Sequence, residues 1–330
     1  MNSLSRWTLP LLLAALLMPA AFAGATDNRA EFWLNRMNAA LRTLNYEGTF
    51  VYIYANQLET MRVIHRADAE GGIERLISLT GPQREVIRDH KEVKCVLPES
   101  HSVLIERRYA AAHFPAAIPK AVNAQKLVAH YRFKDLGEDR IADHHCKIIS
   151  IKPRDRYRYG YRLWIDAHTA MLLRSDLITQ DGRTVERVMF TSIRYPKEIP
   201  NAALRSTEIK PGYIWNIQGG SEKLSLAEAR LTWDAAQLPP GFKLSLNEVQ
   251  RLAGTPVPVR HLVFSDGLAS VSVFAETTVP GHYELIGPSR MGAVSAFGRQ
   301  LGNHSITVVG EVPPETVELI AQSMRLQPQP

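Results

Sequence analysis

Cysteine is almost missing from this sequence: Cys95 and Cys146 are the only two in 330 residues. They form no Cys-x-x-Cys pair, which removes the common zinc and thiol-redox patterns from consideration. Long apolar runs are missing as well. The greasiest stretch, Leu9 to Met18 with its flanks, is about 14 residues, short of the roughly 20 that a membrane-spanning helix needs. Signature motifs of catalysis are absent: there is no G-x-S-x-G, no Walker glycine loop and no H-E-x-x-H. His144-His145-Cys146 is the densest group of ligand-type residues, but adjacent side chains on a strand point to opposite faces and cannot easily share one ion. Nothing calls for a cofactor, a metal or an enzyme activity, although a hydrolase with two scattered carboxylates is not excluded by residue type.

Acidic residues fall short of basic ones, 33 against 39, giving a net charge of +6. A basic chain seeks anionic partners. The N-terminus says which kind. Arg6 precedes an apolar run that ends in Ala21-Phe22-Ala23, the pattern of a signal peptide cut between Ala23 and Gly24. No cysteine follows the cut, so lipid attachment is not expected. The mature chain is expected to be exported and unanchored, with lipid phosphates or acidic proteins as partners and no nucleic acid. In an oxidising compartment Cys95 and Cys146 most simply pair with each other. Their loop of about 52 residues would stabilise the fold by roughly 4 kcal/mol.

The length exceeds that of a usual single core and points to two domains. From Asp27 to Leu44 apolar residues recur every three or four positions, Ala30, Trp33, Met37, Ala40, Leu41 and Leu44, the stripe of an amphipathic helix. From Gly48 the period becomes two, and turn residues punctuate a run of about ten strands as far as Tyr195. Ala110 to Lys120 reads as a loop and Ala121 to His130 as a short helix. Gln180-Asp181-Gly182 marks a hairpin. These elements predict an α+β protein whose large domain, residues 24–199, is an antiparallel half-barrel with helices over its concave face. Pro196 to Glu222 is rich in proline and glycine, and residues 200–222 are expected to be a linker. Residues 223–330 read as a smaller α+β domain with two helices, one from about Ser289 to Leu301 stopped by Gly302, the other starting at Pro313-Pro314. Glu311 reads as a carboxylate placed to cap that last helix.

Two stretches carry candidate binding residues. Phe50, Tyr52 and Tyr54 share a face of the first strand. Further on, Tyr157, Tyr159 and Tyr161 alternate with Arg158 and Arg162 ahead of Trp164, with Arg154 and Arg156 just before them. In one reading the aromatics line a cavity for acyl chains while arginines meet phosphates at its rim. In the other they are ordinary core and a solvated sheet face. Ser265-Asp266-Gly267-Leu268 is either a plain turn or, with Val271 and Phe274, a surface offered to a polypeptide.

A resemblance adds to these readings. Leu238-Pro239-Pro240-Gly241-Phe242, the run His261 to Phe274 and Val308-Val309-Gly310-Glu311-Val312-Pro313 resemble the C-terminal domain of the RseB/MucB family. Asn45 to Tyr52 and Leu163-Trp164-Ile165-Asp166 are similar to that family's large domain. The resemblance implies a periplasmic negative regulator of the envelope-stress sigma factor. It implies a fold like the LolA and LolB lipoprotein carriers, binding to the periplasmic domain of an anti-sigma factor of the RseA/MucA kind, protection of that partner from proteolysis, release by lipopolysaccharide or another acyl-chain ligand, and a homodimer. A lipid or lipoprotein carrier without a regulatory partner is the rival expectation.

Overall fold

Helix α1 (Asn28–Thr43) follows directly from its stripe: Ala30, Leu34, Met37 and Ala40 are buried, and Trp33 and Leu41 pack partly buried against the same core. The computed structural model describes residues 28–70, 72–107, 119, 122–218, 231–250, 257–279, 281 and 284–328. The expected cleavage point at Ala23 and Gly24 and most of the loop 110–120 lie outside them.

Six strands follow α1 as a meander: β1 (Tyr46–Tyr54), β2 (Gln57–Arg66), β3 (Ile73–Ser78), β4 (Glu85–Arg88), β5 (Glu92–Leu97) and β6 (Ser102–Arg107). Ala55 and Asn56, both at positive φ, make the two-residue turn between β1 and β2, a geometry matched to strand twist. The short helix α2 (Ala124–Leu127), capped by the Asn123 side chain, leads to a second meander. Its strands are β7 (Tyr131–Ile141), β8 (His144–Pro153), β9 (Gly160–Asp166), β10 (Leu172–Ile178) and β11 (Thr184–Arg194).

The two meanders join where β1 pairs with β11 and, with β12 (Ile214–Gln218) added at one edge, one sheet runs β12-β6-β5-β4-β3-β2-β1-β11-β10-β9-β8-β7. Its strands are antiparallel except at that edge, where β12 lies parallel to β6. Bulges at Thr49/Phe50, Leu172/Arg174, Leu177/Ile178 and Asp135/Glu138 add the local bends that a curled sheet needs. The hollow side faces α1, which packs on β7 and β8. The expected half-barrel under helices is the observed architecture, and β12 is a strand drawn from the stretch expected to be linker.

In the small domain, β13 (Leu231–Ala235) pairs with β20 (Met324–Pro328). A six-stranded sheet contains β14 (Lys243–Gln250), β15 (Val259–Ser265), β16 (Ser270–Thr277), β19 (His304–Gly310), β18 (Val294–Leu301) and β17 (Gly287–Met291) in that order. Helix α3 (Pro314–Ser323) lays Val317, Ile320 and Ala321 onto this sheet's core of Val271, Val273, Ile306 and Val308. The helix expected from Ser289 to Leu301 is instead the β17–β18 hairpin. Phe297 and Leu301 are four residues apart, a spacing that puts them on one face under either period. Gly292 and Gly302, at φ of +60° and +62°, close hairpins where a helix stop was expected.

The expected disulfide is corrected too. Cys95 on β5 and Cys146 on β8 are both free thiols, with seven strands of the sheet between them. An even count does not by itself place two thiols within the ~6 Å between Cα atoms that a disulfide requires. Burial pushes the Cys146 thiol up to about 12 and raises that of Cys95, so neither is an activated nucleophile. Reductant is therefore expected to shift the thermal midpoint by less than about 1 °C, where loss of a disulfide worth 2–4 kcal/mol shifts it by several degrees. Calorimetry with and without dithiothreitol distinguishes the two.

Candidate functional site

Some of the residues singled out in the sequence, Arg158, Tyr159, Asp266 and Leu268 among them, lie where the two domains touch. Gly160 begins β9, so Tyr157, Arg158 and Tyr159 sit in the loop before it and not on the strand. This loop turns Arg158 away from water altogether: its side chain is 0% exposed. The guanidinium donates from Nε to Asp155 Oδ1 at 3.1 Å, from Nη1 to Asp266 Oδ2 at 2.5 Å and from Nη2 to the Pro240 carbonyl at 2.6 Å. The rings of Tyr131 and Phe242 flank it at 5.4 and 5.1 Å.

Asp266 completes the contact from the small domain. Its Oδ2 also accepts from the Tyr131 hydroxyl at 2.9 Å, and its Oδ1 accepts from the backbone N–H groups of Leu268 and Ala269. That second set of bonds is why the sequence reads Ser-Asp-Gly here: a short acidic side chain closes the turn on its own backbone. The same carboxylate is then locked across the domain boundary. Burial, followed by the Asp266 charge, raises the Tyr131 hydroxyl well above the usual tyrosine range. Gly241, at φ +85°, lies so close to His130 that an added Cβ would meet the imidazole at 2.2 Å. Only glycine fits that approach.

A second contact lies along β11. Glu186, 3% exposed, accepts from the Tyr52 hydroxyl at 2.8 Å and from the Ala293 backbone N–H of the small domain at 3.2 Å. Burial, reinforced by Glu186, pushes the Glu311 carboxyl up to about 7. Pro313, not Glu311, occupies the N-cap position of α3. The residue expected to cap the helix looks across the junction at the large domain. Thr316 of α3 donates to the Tyr157 carbonyl at 2.7 Å, and Arg290 reaches the Tyr159 hydroxyl at 3.5 Å.

Phe50, Tyr52, Tyr159, Tyr161 and Trp164 are all buried in one core with α1, with Tyr54 packed at its margin. Trp164 is stacked on Arg174 at 3.8 Å and donates to Asp139. Arg158, expected at a rim, is enclosed, whereas Arg162 stands half-buried on the outer face of β9. Among the candidates for polypeptide binding, Val271 is small-domain core and Leu268 packs on the large domain's core. Ser265 bonds within its own turn. Gly267 supplies the turn's positive φ of +97°. Phe274 lies on the opposite face of β16, stacked on His261 at 4.5 Å.

Tyr131, Glu186, Phe242 and Ala293 were not singled out from the sequence. The available signal was Phe242 beside Pro240, since both belong to the run that carries the resemblance. Among the described residues no group of three His, Cys, Asp or Glu side chains converges as metal ligands. The arrangement fixes one domain on another, with every inward-facing charge of the first contact given a partner.

Known proteins agree with this layout. A family model described as the MucB/RseB N-terminal domain matches residues 29–208, and one for the MucB/RseB C-terminal domain matches residues 227–325. The sigma factor AlgU regulatory protein MucB of Pseudomonas aeruginosa is 32% identical over 327 residues, covering 97% of this chain and 98% of the relative. The sigma-E factor regulatory protein RseB of Escherichia coli is 27% identical over 321 residues, 97% of each chain. Two structures of MucB in complex with MucA superpose with TM-scores of 0.67 and 0.69 at 29% identity. They cover 91% and 92% of this chain and 99% of those chains.

Proposed function

The chain belongs to the MucB/RseB family, and from that premise we propose that it is a periplasmic negative regulator of a sigma factor. In this reading it grips the periplasmic domain of a membrane-spanning anti-sigma factor and shields it from regulated proteolysis. The observation that carries the reading is the tiling of nearly the whole mature chain by both family models. Its relatives are named as sigma factor regulators, and MucB has been crystallised with MucA. The buried junction supports it physically, because a clamp that holds a peptide across two domains needs those domains held in register.

Lipopolysaccharide or another acyl-chain ligand is the proposed release signal. The aromatic face of the sheet is covered by α1; Tyr159 meets Arg290 of the small domain, and Tyr52 is linked to that domain through the Glu186 carboxylate it shares with the Ala293 N–H. An acyl chain entering there competes with α1 for the same apolar side chains and loosens the small domain. Lipid and partner then favour different arrangements, which is the condition for one to expel the other.

Immobilised periplasmic segment of the cognate anti-sigma factor is expected to capture the purified chain, and lipopolysaccharide is expected to weaken that capture at least about tenfold, a coupling of ~1.4 kcal/mol. Capture indifferent to lipid removes the release mechanism. No capture, together with lipid extracted from the purified protein, favours a carrier instead.

A further inference from the structure

Several exposed arginines of this protein sit beside an acid: Arg62 and Arg194 share Glu47, Arg140 holds Asp143, Arg183 holds Asp181 and Arg325 holds Asp234. One region gathers cations without such acids. Arg132 and Lys134 on β7, Lys152 at the end of β8, Arg154 and Arg156 in the loop that follows are all exposed, and Arg162 on β9 is half-buried beside them. Among the described residues none of these six has an acid within ion-pair distance.

The register puts them together. Arg132 lies directly across from Lys152, and the row Lys134, Ser150, Arg162 crosses three strands. Tyr131 and Phe133 point from β7 into the core, so Arg132 and Lys134 occupy the outer face. The only acid in the following loop, Asp155, is committed to Arg158, and the next carboxylate inward, Asp176, is held by Arg174 and Arg187. Glu315 is the acid whose field reaches Arg156. Like charges placed directly opposite on neighbouring strands repel. A sheet that keeps Arg132 against Lys152, with strands about 4.8 Å apart, carries a standing electrostatic cost that an anionic surface would relieve.

We infer that this outer face of β7, β8 and the loop 154–157 docks the protein on an anionic lipid surface through phosphate headgroups. Three features favour a lipid plane as the occupant. The charges are spread over two strands and a loop, not gathered around one point as a single-phosphate site would be. Leu136, two residues past Lys134, stands 44% exposed, and the Tyr157 ring lies under Arg156 at 5.3 Å, an apolar and aromatic contribution of the kind found at headgroup depth. Each Lys or Arg near an anionic leaflet adds to attraction, and the effect fades within a Debye length. The inference is independent of the acyl-chain and partner readings above, since it needs neither the concave face nor the domain junction.

The test is co-sedimentation of the full mature chain with vesicles of about one-third phosphatidylglycerol in phosphatidylcholine, against pure phosphatidylcholine, at about 0.05 M and about 0.5 M salt. Binding is expected to be at least about tenfold tighter to the anionic vesicles and to vanish at the higher salt. The triple variant Arg132→Glu, Lys134→Glu, Lys152→Glu is expected to lose at least about tenfold of it. The double variant Lys197→Glu, Lys210→Glu, which changes exposed cations elsewhere on the surface, is expected to lose less than about twofold. Unchanged thermal midpoints in both variants show that folding is intact. Equal losses in the two variants overturn the proposal, as does absence of binding to anionic vesicles. Saturable binding of an acidic peptide or of pyrophosphate by a chain that ignores the vesicles overturns it as well.

Discussion

Arg158→Ala is expected to destabilise the protein by about 3–5 kcal/mol, the range for removing one partner of a buried ion pair. The reason is what remains. Asp266 keeps the Tyr131 hydroxyl and its own turn but loses the guanidinium that pairs with it, and the Pro240 carbonyl loses its donor. The loss falls on the junction, so small-angle scattering is expected to show a larger radius of gyration in the variant well below its melting temperature. Pairing it with Asp266→Leu is the decisive control: the double variant buries no unpaired charge and is expected to regain most of the loss. A single-variant cost under about 1 kcal/mol, or no recovery in the double, means that this contact does not hold the domains together.

Raising the pH is expected to weaken the same junction at its second contact. Glu311 sits near 7 in the folded protein because burial and then Glu186 disfavour its charge, whereas in the unfolded chain it titrates near the ordinary value of about 4.5. A raised carboxyl binds its proton more tightly when folded. Its favourable contribution is therefore complete below about pH 4.5 and is lost as the pH climbs through 7, amounting to about 3 kcal/mol by pH 8. Glu311→Gln keeps the shape and removes the charge. Urea unfolding at about pH 5 and about pH 8 is expected to separate the two proteins by about 3 kcal/mol at the higher pH, with the variant more stable, and to bring them together at the lower. A constant difference across that window means that Glu311 does not titrate within it.

The large domain was legible because its signals are redundant. α1 announces itself by four buried positions at helical spacing, and β1 to β11 alternate between punctuating turns, so small errors of boundary left the order of strands intact. The small domain was harder. Phe297 and Leu301 satisfy two periods at once, and only the backbone at Gly292 and Gly302 decides between them. β12 hides in a stretch rich in proline and glycine because its partner, β6, is more than a hundred residues earlier.

The candidate site was legible in its members and not in their pairing. Arg158 and Asp266 were both singled out, one as a phosphate contact and the other as part of a peptide surface. Residue type gives a buried guanidinium and an exposed one the same letter. What separates Arg158 from Arg156 is a loop geometry that sets one inward against Tyr131 and Phe242 and leaves its neighbour outside. The cysteines fail for a related reason: their number carries a pairing rule, while their positions on β5 and β8 are fixed by the sheet.

The seam between β1 and β11 joins Glu47 to Arg194 across 147 residues. Export delivers these strands N-terminus first and so at different times, and the first meander is finished while one of its rims still has no neighbour. Such a rim is open to mispairing with any passing strand, and closing so wide a loop is slow. Newly made chain therefore spends its most vulnerable interval half-zipped, and truncation anywhere before Thr184 leaves that rim permanently bare.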